Sequence, residues 1–116
     1  GGAPQSSRLH DRVSAALSAM GVAHCNELRV CGGVFSIDIA VEGGVAIEVN
    51  GPSHYVLDVG ASLVPNTETR FKAHVLQRLG WRVVSLPFLD WEDLKGRPAL
   101  QRKYLQELLR AAREAA

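Results

Sequence analysis

Apolar residues recur along this chain with two different periods. From Ser7 to Met20, Leu9, Val13, Ala16, Leu17 and Met20 fall on one helical stripe, and Gly21 stops it. From Phe35 to Asn50 the period is two. Phe35, Ile37, Ile39 and Val41 alternate with polar or small residues, and so do Val45, Ile47 and Val49 beyond Glu42-Gly43-Gly44. Two alternating runs around a Gly-Gly turn predict a hairpin. Both apolar sets share a face only if Val41 lies opposite Val45, Ile39 opposite Ile47 and Ile37 opposite Val49. A slip of one residue would move half of them into water.

His24 to Val30 predicts a strand before this hairpin, with Cys31-Gly32-Gly33 as its turn. Gly51-Pro52 ends the third strand, because proline cannot extend a ladder. Tyr55 to Pro65 reads as an irregular loop. A second helix is expected from Asn66 or Thr67 to Leu79, capped by those residues and stopped by Gly80. Its inward positions are Phe71, Val75, Leu76 and Leu79. Trp81 to Leu86 predicts a fourth strand ending at Pro87, followed by a short helical turn holding Asp90, Trp91, Glu92 and Leu94. A last helix over Pro98–Ala112 turns Leu100, Tyr104, Leu105, Leu108 and Leu109 inward. The predicted fold class is α/β, a mixed four-stranded sheet flanked by helices in the order α-β-β-β-α-β-α. Residues 1–6 read as a linker or expression scar, and residues 7–116 as a single domain.

In the predicted register Asp38 faces Glu48, and Ser36 faces Asn50. Like charges directly opposed across a pair of strands are destabilising. A divalent cation, a nearby Lys or Arg, or a shared proton would offset the repulsion. The alternative is a solvated face on which the pair is tolerated.

The net charge of the 116 residues is only +1, but it is unevenly spread. Residues 1–65 sum to −3 and residues 66–116 to +4. A basic half beside an acidic hairpin suits a site where a metal and a polyanion meet. The two cysteines, Cys25 and Cys31, are read as reduced and structural. No transmembrane run or signal peptide is visible, and no membrane partner is expected.

Lys72 stands one turn before Val75 and Leu76, so its base lies on the sheet-facing stripe. Its ammonium either snorkels to water or reaches the carboxylates of the hairpin. Arg70 points elsewhere on the same helix and suits a phosphate. His54 sits at the mouth of the third strand near Asn50, placed for proton transfer or phosphate binding. Tyr55 follows it and suits base stacking. His74 is assigned to the surface, and Trp81 and Trp91 to the core or half-core rather than to base stacking.

At these residues the chain resembles a known family. Val45-Ala46-Ile47-Glu48-Val49-Asn50-Gly51-Pro52-Ser53-His54-Tyr55 looks like the central motif of the RAP domain, an RNA-binding domain named for its abundance in apicomplexans. Thr69-Arg70-Phe71-Lys72, Leu76, Leu79-Gly80-Trp81-Arg82-Val83-Val84-Ser85-Leu86-Pro87, Trp91 and Tyr104-Leu105 follow the same order and spacing. The resemblance covers about residues 35–110. It implies a module of longer mitochondrial or plastid proteins that carry helical repeats and act on RNA. It extends to the PD-(D/E)XK nucleases, including the very-short-patch repair group, and implies their restriction-endonuclease-like fold. In that superfamily an acid on each of the second and third strands holds the metal. Asp38, Glu48 and the Val49 carbonyl match, with Mg²⁺ or Mn²⁺ as the implied cation. The third-strand lysine of the superfamily is replaced by Asn50, and Lys72 matches a lysine migrated to the following helix.

Three functions follow as expectations. The first is an RNA-binding module with a degenerate nuclease site, using Arg70, Lys72, His54, Tyr55 and Arg82. The second is a metal-dependent endoribonuclease using Asp38, Glu48, Asn50, Lys72 and His54. The third is a protein-docking domain for the helical repeats.

Overall fold

The structure is a computed structural model that describes residues 5–114. Gly1 to Pro4, most of the expected linker, lie outside the described residues. The elements in chain order are α1 (Gln5–Ala19), β1 (His24–Val30), β2 (Phe35–Val41), β3 (Val45–Asn50), β4 (Tyr55–Leu57), β5 (Leu63–Pro65), α2 (Thr67–Arg78), β6 (Arg82–Pro87), α3 (Phe88–Glu92) and α4 (Pro98–Glu114). Four strands form a mixed sheet in the order β1-β2-β3-β6. The first three form an antiparallel meander, and β6 returns parallel to β3. This is the expected α/β class. Asn66 caps α2 by accepting the Thr69 N–H. No described helix is long and apolar enough to cross a membrane.

The hairpin register is the predicted one at the turn. Val41 pairs with Val45, Ala40 with Ala46 and Ile39 with Ile47. Gly43 and Gly44 hold φ of 90° and 82° in the connecting loop, a conformation that a side chain disfavours. Beyond Ile39–Ile47 the ladder stops. The expected Ile37–Val49 pair, and with it direct opposition of Asp38 to Glu48 and Ser36 to Asn50, lies outside it.

That break corrects a second expectation, the single face for Phe35, Ile37, Ile39 and Val41. Ile39 and Val41 join Val45, Ile47 and Val49 in the core with Val13, Leu17, Leu105 and Leu109 of α1 and α4. Ile37 packs instead with Ala40, Ala46 and Leu76 on the α2 side, and Phe35 contacts Phe71 of α2. The strand turns over at Asp38. Its position in the β1–β2 ladder is also a gap, filled opposite by Glu27 at φ 53°. A non-glycine residue at positive φ marks a local distortion that alternation in the sequence does not reveal.

Burial departs from the pattern elsewhere. Leu76 is the only described residue of α2 that is fully buried. Phe71, Leu79 and Leu100, expected inward, are all largely exposed. On the sheet face under α2, Leu76 packs with Ile37, Ala40 and Ala46, and Leu28, Val30, Trp81 and Val83 close around them. Cys25 and Cys31 are free, as expected, but exposed rather than buried. Tyr55 to Pro65 is ordered as a two-stranded hairpin, β4–β5, not an irregular loop. Asp58 makes it so, because its Oδ1 accepts the Gly60 and Ser62 N–H groups in the turn.

Gly44→Ala tests the turn. No atom lies within 4 Å of the added Cβ, so the positive φ alone should cost about 1–2 kcal/mol. Urea unfolding should show a lower midpoint with an unchanged slope.

Candidate functional site

Every residue of β3 is buried, and Glu48 is one of them at 6% exposed. An ionised carboxylate there needs partners. It has two, from two different elements. Lys72 of α2 places its Nζ 2.5 Å from Oε1, and the Asp38 N–H of β2 donates to Oε2 at 3.0 Å. Asp38 reciprocates, its Oδ2 accepting the Val49 N–H at 2.9 Å. The two carboxylates thus replace the missing rungs of the β2–β3 ladder. Of the compensations open from the sequence, the structure holds the lysine, supplemented by backbone N–H groups.

Burial raises the Glu48 carboxyl above its ordinary value, and Asp38 adds to the rise. The Lys72 ammonium and the Asp38 N–H act the other way. Protonating Glu48 therefore favours the folded state. Its contribution is complete below the ordinary glutamate range and is lost as pH rises through the raised value.

The other candidates fall into separate groups. Asn50 is buried and turned toward β6, its Nδ2 donating to Ser85 Oγ at 2.5 Å. His54 lies beside α2, with Nδ1 3.2 Å from Thr69 Oγ1. It also lines an open polar cavity of about 390 Å³ with Asp38 and Val49. Arg70 is exposed on α2. Tyr55 is not free to stack: its ring packs on Phe88, 5.9 Å between centroids, and its hydroxyl is buried without a hydrogen-bond partner. Burial raises that hydroxyl, opposed by the nearby Ser85 and Asn50. Arg82 is not part of the site. It pairs with Val45 at the opposite end of β3 and donates to the Arg113 carbonyl of α4.

Sequence reasoning missed the α1 side of the cavity. His10, Asp11, Asn26 and Glu27 complete its wall. His10 and Ser14 each hydrogen-bond Asn26. Their spacing of four on a helix was the available signal. Three of the cavity's side chains, Asp11, Glu27 and Asp38, are acidic, so it opposes phosphate.

For Mg²⁺ or Mn²⁺ the donors do not fit as they stand. Both Glu48 oxygens and one Asp38 oxygen are engaged by protein groups. Among the described residues no group of three His, Cys, Asp or Glu side chains converges as a metal site. A cation at Asp38, Glu48 and the Val49 carbonyl would compete with Lys72.

Lys72→Met tests the ion pair. Leaving Glu48 buried beside Asp38 without its cation should cost on the order of 3 kcal/mol at pH 7. The deficit should shrink as pH falls toward 5, because protonation removes the uncompensated charge. Urea unfolding of both proteins across that range reads it out.

A family model described as RAP domain matches residues 47–108. The chain is also 34% identical over 76 residues to a protein of Oryza sativa subsp. japonica named "RAP domain-containing protein, chloroplastic". That match covers 65% of this chain and only 11% of the rice protein. The matched region holds Asn50, His54 and Arg70 and both partners of the Glu48–Lys72 pair that links β3 to α2. With more than half of its length matched, the chain belongs to the RAP domain family.

Proposed function

We propose that this chain is the RNA-binding module of an organellar RNA-processing protein, with a nuclease-like fold and a degenerate active site. The observation that supports it most is the Lys72–Glu48 ion pair. A lysine that completes a nuclease centre must be available to the scissile phosphate or its attacking water. Here Lys72 neutralises a buried carboxylate instead. Asn50, at the position of the usual third-strand lysine, is turned to Ser85.

The charge distribution supports RNA as the ligand. The basic half of the sequence begins at α2, and Arg70 and Arg78 are exposed on that helix. Phosphates would lie along α2, away from the acidic cavity that contains Asp38. The chloroplast named for the rice relative makes a plastid the favoured compartment, with the mitochondrion as the other organelle that the family resemblance allows. The helical-repeat region of a longer parent protein is the proposed intramolecular partner and would supply sequence specificity.

The test incubates the chain with labelled single-stranded RNA in Mn²⁺, in Mg²⁺ and in chelator, beside Glu48→Ala. Intact RNA in every lane is expected, with a mobility shift that weakens steeply as salt rises. Metal-dependent cleavage that disappears in Glu48→Ala would replace this reading with an endoribonuclease. Neither cleavage nor a shift would replace it with protein docking.

A further inference from the structure

Phe71 stands where the helical pattern of α2 calls for a core residue, yet it is 59% exposed. It is also held in place. The ring of Phe35, from the start of β2, lies 6.2 Å away between centroids at a tilt of 54°. Phe35 is half-buried, and the adjoining Val34 is exposed. An aromatic ring fixed at one edge and open to water elsewhere gains little from burial. It does present a rigid, flat apolar surface.

The surroundings indicate what would cover it. His74 and Arg78, three and seven residues on, share the Phe71 stripe of α2, and Arg70 and Lys72 adjoin it in sequence. Glu68, one turn before, is the single acid on that helix. A flat apolar surface flanked by the exposed Arg70 and Arg78 complements a polyanion that offers unpaired aromatic faces. Single-stranded nucleic acid has that chemistry, whereas a duplex hides its base faces in the stack.

Resting on the RNA-binding reading above, we propose that Phe71, braced by Phe35, is a base-stacking platform for single-stranded RNA. The bases lie on the ring while Arg70 and Arg78 hold the phosphates. Lys72, the next residue of the helix, is held by Glu48 and is left out of this platform.

The test measures binding of this chain to fluorescein-labelled oligo(A), to an abasic strand of the same length and to a duplex, by anisotropy over a salt series. Phe71→Ala should weaken oligo(A) binding about tenfold, the scale of one lost stack. The salt slope and the affinity for the abasic strand should not change. Phe71→Trp should keep the affinity. Arg70→Ala should weaken both strands and lower the slope by about one. Wild-type affinity for oligo(A) in Phe71→Ala would overturn the platform, and so would an equal loss on the abasic strand. If the wild type binds no RNA at all, the functional reading itself fails, and the platform with it.

Discussion

Glu48 is a carboxylate in the middle of a fully buried strand, and the arrangement around it follows from keeping it there. Without partners its desolvation would oppose folding by several kcal/mol. The partners come from a helix and from the adjacent strand. Lys72 reaches it from α2, and the Asp38 N–H reaches it from β2. One charged group therefore ties a helix to two strands at the end of the sheet where His54 and Asn50 also lie.

The same demand explains why β2 changes face. Asp38 gives its backbone N–H to Glu48 and takes the Val49 N–H on its own carboxylate. Those bonds replace the ladder that would have continued from Ile39–Ile47. The strand is released from strict alternation, so Phe35 and Ile37 turn toward α2 while Ile39 and Val41 stay with α1 and α4. Phe35 meets Phe71 because of that turn. The polar centre and the exposed aromatic pair are consequences of one local distortion.

The element order and the hairpin register near the turn were legible because they rest on period and on glycine, which act locally. The Asp38–Glu48 neighbourhood was legible for the same reason. The turnover at Asp38 was not, since it depends on Glu27 at positive φ and on side chains replacing ladder bonds. Phe71 and Leu79 lie outward because the cluster under α2 is closed by Leu28, Val30, Trp81 and Val83 from other elements, which helical periodicity within α2 does not register. Arg82 fits the family motif in sequence but sits at the far end of β3. A motif in sequence brings residues into one list without bringing them into one place.

The central claim is that Lys72 keeps the buried Glu48 carboxylate ionised. Titration of the Glu48 side-chain carbon by ¹³C NMR, in the wild type and in Lys72→Met, tests it most directly. The expected result is a midpoint above the ordinary glutamate range in the wild type that moves further up in the variant. A midpoint that does not move when Lys72 is removed would contradict it, and would leave the Asp38 N–H as the group that favours the ionised carboxylate.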